Sequence, residues 1–215
     1  MSRRMPDPSL LRAAEAHLAV TDPLMAQLIA RHGPCALGAR KRDPFHTLCT
    51  SIISQQLSVK AADTIQKRVH TLLKAKPHLK PTHFIGAKHA ELRGCGLSNA
   101  KAKWMVEIAR RTHAKEFSFR KLVTLEDEAA IEMLDALPGI GRWSAEMYIM
   151  FALDRLDVFA MGDVGLRNSV NRLYNKGRKL SDKRTLAIAK TWAPYRSVAS
   201  WYLWRLADEE PENWA

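Results

Sequence analysis

Apolar residues recur at three- and four-residue steps along almost the whole chain, the spacing of helices that each bury one face. In TDPLMAQLIARHG, Leu24, Leu28 and Ile29 share a face, Thr21 is placed to cap, Pro23 suits a first turn and Gly33 can close the helix. DPFHTLCTSIISQQ repeats the start signal with Asp43 and Pro44 and turns Phe45, Leu48, Ile52 and Ile53 inward. Ser58 opens the next helix, with Val59, Ala62, Ile65, Val69 and Leu72 on one stripe. Further helices are predicted over residues 82–92, 98–113, 126–136, 142–153, 164–174, 181–192 and 194–207. Period-two alternation is convincing nowhere, so the pattern predicts an all-α chain.

The pattern breaks at KAKPHLKPTHF and THAKEFSFRKL, and no fixed-period repeat is visible. These joints suggest a two-lobed unit over residues 1–215: a central helical lobe at about 45–155, with 1–44 and 156–215 forming a second lobe and a ligand cleft expected between them. Composition narrows the partner. Lys+Arg 34 against Asp+Glu 22 leaves a formal charge of +12, enough to attract a polyanion, and nucleic acid leads on charge alone. No apolar run approaches the ~20 residues of a membrane span, and Glu15 and His17 interrupt the only N-terminal candidate for a leader, so a cytoplasmic, monomeric protein is expected. Cys35, Cys49 and Cys95 are too far apart for a zinc or iron–sulfur ligand pair, and the eight histidines show no ligand spacing.

One stretch carries chemistry. In LPGIGRWSAEM, residues 137–147, Pro138 fixes its own φ, Gly139 and Gly141 can take positive φ, and Ile140 can plug the reversal into a core. The helix that follows starts with unpartnered N–H groups at Gly141, Arg142 and Trp143, a ready place for a phosphate, with Arg142 adding charge. A glycine-rich helix–helix turn without a ligand is the plainer alternative. Ser98 in GLSNAKAKWM marks a second such helix start, where Lys101 and Lys103 either face phosphate or form a solvated basic face.

LPGIGRWSAEM followed by DVFAMGDVGLRNSV strongly resembles the helix-hairpin-helix (HhH-GPD) DNA glycosylase superfamily, and within it the alkylpurine, 3-methyladenine DNA glycosylase II-like branch. The likeness runs from DPFHTLCTSIISQQLSVKAA through GLSNAKAKWM to WAPYRSVASWYLWRL. It implies the superfamily's helical fold, here without the mixed α/β N-terminal domain of larger relatives, since only about forty residues precede DPFHTLCT. The family's catalytic aspartate lies about twenty residues past the hairpin aromatic; 20 residues after Trp143 stands Asp163, which also reads as an ordinary N-cap. Asp154 and Asp157 are neighbours that read as loop charge.

Trp143 occupies the position where bifunctional members carry a Schiff-base lysine, which implies hydrolysis to an abasic site without strand cleavage. By the same resemblance, Trp143, Trp204, Tyr148 and Tyr195 line the pocket of a flipped, cationic base, while Met147 stands where a relative has a pocket tyrosine. Core packing is the plainer alternative for the tryptophans, since at least one in WYLWRL must face inward, with Trp201 to the core and Trp204 to the pocket favoured over the reverse. Leu57 or Gln56 is the wedge inserted through the minor groove, unless Leu57 packs beneath a helix turn. Gly139, Gly141, Arg142, Ser98 and Lys101 then join them in binding double-stranded DNA. No cofactor or iron–sulfur cluster is implied; Na+ or K+ at the hairpin carbonyls of Asp135, Leu137 and Gly139 is. Enzymes for other damaged bases, and a binding module without catalysis, are the competing readings.

Overall fold

The computed structural model describes residues 8–38 and 43–209. Among them are twelve α-helices and one 3-10 turn, with no strand. The helices are α1 Pro8–Thr21, α2 Pro23–His32, α3 Pro44–Ser54, α4 Val59–Leu72, α5 His89–Gly94 and α6 Asn99–His113. They continue as α7 Phe119–Thr124, α8 Asp127–Asp135, α9 Arg142–Ala152, α10 Val164–Asn175, α11 Asp182–Thr191 and α12 Arg196–Ala207, with the 3-10 turn at Pro81–Phe84.

Several local expectations shift. The cap of α2 is Asp22, whose carboxylate accepts from Leu24 N and Met25 N, because Thr21 is the last residue of α1. Gly86, at φ +78, divides the stretch expected as one helix over 82–92 into the 3-10 turn and α5. The apolar pattern sets no bounds for α1, and α7, at six residues, is too short to show a period. On α4, Val59 points outward at 79% exposure, so the buried stripe is Ala62 and Val69, with Ile65 and Leu72 partly covered.

The chain forms two compact units, residues 42–148 and residues 1–41 with 149–215. The division falls inside α9, earlier than residue 155, because this helix has no clean apolar stripe to locate it. Ala145, Tyr148, Ile149, Met150 and Ala152 are all buried, so the helix is apolar on more than one side.

In the 42–148 unit, α3 supplies Phe45, Leu48, Ile52 and Ile53 to a core completed by Leu92, Met105, Ile108, Leu134 and Ile140. The other unit packs α1, α2, α10 and α12 together. Its buried Asp22, besides capping α2, accepts from Tyr174 Oη and from Trp192 Nε1 at 3.0 Å. Glu15 Oε1 accepts from Tyr202 Oη at 2.9 Å and from Cys35 N at 2.6 Å. Buried carboxylates are tolerated only when paired in this way. No helix of the described residues is long and apolar enough to cross a membrane.

Candidate functional site

The hairpin is built by close approach. α8 ends at Asp135, and Gly139 reverses the chain at φ +80. A Cβ on Gly139 would lie 2.2 Å from Cε3 of Trp104, so the indole of α6 rests directly on the glycine backbone. Glycine is required there twice, for the backbone angle and for the space. Leu137 and Ile140 anchor the turn in the core. Gly141, expected to share the positive φ, does not; nothing would meet a Cβ there within 4 Å. It stands directly before α9, whose first N–H groups lack intrahelical partners.

The charge beside that helix start is not the expected one. Arg142 donates from Nη1 and Nη2 to the two oxygens of Glu128 at 2.6 and 2.8 Å, and from Nε to Glu146 at 3.1 Å. Its guanidinium therefore ties α8 to α9 and is already matched by carboxylates. Arg142 holds the Glu128 carboxyl below its usual range, whereas burial pushes that of Glu146 up against Arg142's opposing pull. Trp143 next to it is 45% exposed on the first turn of α9. Tyr148 is not a pocket wall: it is 3% exposed and its hydroxyl donates to Pro44 O at 2.9 Å.

The 55–58 loop stands out from α3. Gln56 adopts φ +56, an uncommon conformation for a residue with a Cβ, and Leu57 beyond it is 40% exposed, so Leu57 does not pack beneath a helix turn. Ser58 Oγ then accepts from Ala61 N to cap α4. Two side chains hold the loop in place. Lys101 Nζ donates to Ile53 O at 2.9 Å and Gln55 O at 2.6 Å, closing the carboxyl end of α3, and burial lowers its pKa. Gln55 Nε2 donates to Gly139 O at 3.0 Å, connecting loop to hairpin. Lys101 is thus an internal clamp and not an outward phosphate contact. Ser98 caps α6 as expected, accepting from Lys101 N at 3.2 Å.

Two of the carbonyls that the resemblance offers to a cation already have protein donors: Gly139 O from Gln55, and Leu137 O from Ile140 N at 3.2 Å. The third, on Asp135, belongs to the last residue of α8. A cation is not needed to satisfy the first two.

In the other unit, Asp163 caps α10. Its Oδ1 accepts from Leu166 N at 2.7 Å and from Trp204 Nε1 at 3.2 Å. The Trp204 ring lies 5.6 Å from that of Phe151, tilted by 34°. Sequence reasoning missed the indole–carboxylate bond, since 41 residues separate the partners. Trp201 is not a core residue. Being three positions before Trp204 it shares that side of α12, lies partly exposed, and has the Arg205 guanidinium 4.8 Å over its ring; Tyr202, Leu203 and Leu206 are the inward residues. Tyr195 is half-buried with its ring edge-on to His17 at 5.3 Å. Asp157 is engaged by Arg196 at 2.7 and 3.0 Å.

An all-α chain that turns Leu137–Pro138–Gly139–Ile140–Gly141 over a tryptophan and starts a new helix from it is a helix-hairpin-helix protein. The chain belongs to the HhH-GPD superfamily of base excision DNA repair proteins, the family that matches residues 49–194. It is similar to DNA-3-methyladenine glycosylase 1 of Schizosaccharomyces pombe, 30% identical over 203 residues covering 91% of this chain and 87% of that one. The alkylbase DNA glycosidase-like protein mag2 of the same yeast is 28% identical over 198 residues, 91% and 93% of the two chains. Among solved structures, DNA-3-methyladenine glycosidase of Bacillus halodurans superposes with a TM-score of 0.84 at 34% identity, over 98% of this chain and 94% of the other. The S. pombe 3-methyladenine DNA glycosylase Mag1 in complex with abasic DNA gives 0.76 at 28%, over 92% and 97%.

Proposed function

We propose that this chain is a monofunctional DNA glycosylase that hydrolyses the N-glycosidic bond of alkylated purines in double-stranded DNA, 3-methyladenine foremost. The observation that carries the reading is Asp163, a carboxylate held at a helix N-terminus by Leu166 N and Trp204 Nε1 within an HhH-GPD chain. Relatives named as 3-methyladenine glycosylases, one of them solved with abasic DNA, support the substrate and the product.

The chemistry asks little acid catalysis. An N3-alkylated purine is cationic, so when the C1′–N bond breaks its electron pair neutralises the departing base. The sugar is left as an oxocarbenium ion, whose positive charge a fixed carboxylate stabilises. Water then adds to C1′ and gives up a proton, for which the same carboxylate is a suitable acceptor. Trp143, where lyase relatives carry lysine, offers no amine to attack the sugar, so the product is an intact strand with an abasic site. Reaching the base requires flipping it from the duplex, at a few kcal/mol, and the exposure of Leu57 supports its reading as the wedge that fills the gap.

The test is base release from alkylated duplex DNA by wild type and Asp163→Asn, with strand cleavage measured before and after alkali. Asn keeps the N-cap but loses the charge, so release should fall on the order of 10²-fold or more without unfolding, and breaks should appear only after alkali. Absence of release by folded, DNA-binding wild type overturns the substrate assignment.

A further inference from the structure

Two cations that the sequence points toward phosphate already have partners in the protein, Arg142 with Glu128 and Glu146, and Lys101 with the end of α3. Others face outward. Directly after the exposed Leu57, α4 presents Lys60, Thr64 and Arg68 at four-residue steps, an exposed stripe down one side of the helix. Neither Lys60 nor Arg68 has a carboxylate partner among the described residues. Thr64 already donates its hydroxyl to Lys60 O at 2.9 Å, which leaves the two cations to act. Gly96, between α5 and α6, closes the far side. It sits at φ +103, and a Cβ there would stand 3.1 Å from Ile65 Cγ1, so only glycine lets this turn lie so close to α4. The result is an open groove of about 380 Å³ lined by Ser58, Lys60, Thr64, Ile65, Arg68 and Gly96.

We propose that this groove carries the phosphodiester backbone of one DNA strand beside the point where Leu57 enters the duplex. The inference rests on the reading of the chain as a DNA enzyme. Eight residues of helix separate Lys60 from Arg68 by roughly 12 Å, which suits two separate phosphates. Each phosphate neutralised by a cation contributes roughly 0.9 to the slope of log binding constant against log salt.

The experiment measures binding to undamaged duplex DNA by fluorescence anisotropy across a series of salt concentrations, for wild type, Lys60→Gln/Arg68→Gln, and Lys183→Gln/Arg184→Gln on α11. The last removes the same charge elsewhere. The groove variant should lose about two from the slope and bind more weakly at low salt with unchanged helical circular dichroism, while the α11 variant keeps the wild-type slope. A groove variant with the wild-type slope, or an equal loss from the α11 variant, overturns the inference alone. Wild type that shows no salt-dependent binding to duplex overturns the reading of the chain as a DNA enzyme, and the groove with it.

Discussion

Trp204 combines two contacts that a smaller side chain could not make together: its N–H reaches Asp163 at 3.2 Å while its ring lies against Phe151. Trp204→Phe removes the first and keeps most of the second. A hydrogen bond to a charged group is worth about 1.5–3 kcal/mol, so kcat for base release should fall by roughly tenfold or more, with little change in thermal midpoint. An unchanged kcat would show that the indole N–H does not position the carboxylate. At Gly139 the constraint is steric. Gly139→Ala sets a methyl 2.2 Å from Trp104 in a backbone at φ +80, and should cost roughly 3 kcal/mol or more, seen as a large drop in melting temperature. The corresponding change at Gly141 meets nothing within 4 Å and should be tolerated by the fold.

At the scale of elements, the junction of α3, α6 and the hairpin depends on two side chains, Lys101 and Gln55. Both donate to backbone carbonyls that a helix end or tight turn leaves without a partner. Lys101→Met keeps the stem and deletes the clamp. It should relax the strained Gln56 and lower turnover on duplex substrate far more than on single-stranded alkylated DNA, where no wedge is needed. Lys101→Arg should restore part of the difference. Equal losses on the two substrates would reduce Lys101 to a stability role. The helix starts at Asp43, Ser58, Ser98, Asp163 and Ser181 were readable because capping is local, a side-chain oxygen meeting an N–H two or three residues on. Trp201 was misassigned to the core for an equally local reason: it stands three positions before Trp204 and shares its face, so the two do not point to core and surface separately.

For the molecule as a whole, acid should weaken the 42–148 unit. His46 on α3 stands 5.3 Å ring to ring from His70 and 5.0 Å from His78, and His70 Nε2 and His78 Nδ1 are buried without hydrogen-bond partners. Burial lowers the His46 pKa, the neighbouring histidines lower it further, and Asp43 opposes them. A histidine whose folded value lies below its unfolded 6.5 contributes stability that is complete above pH 6.5 and is lost as the pH falls toward the folded value. The urea midpoint should therefore drop between pH 7 and 5, and His46→Leu should flatten that slope. An identical slope in the variant would place the acid sensitivity elsewhere.

The helical class, most helix starts and the +12 charge were already determined by the sequence, because periodicity and capping act over a few residues and charge sums over the chain, while the candidacy of Asp163 came from the resemblance of LPGIGRWSAEM and DVFAMGDVGLRNSV to the HhH-GPD family. What only the tertiary structure decided is which partner each functional group meets. Trp104 lies under Gly139, Gln55 bonds the hairpin, Trp204 bonds Asp163, and carboxylates or carbonyls claim Arg142 and Lys101. These contacts join positions from 4 to 84 residues apart. Hydrogen bonds and ion pairs depend on distances of a few ångströms that side-chain type and sequence spacing do not set.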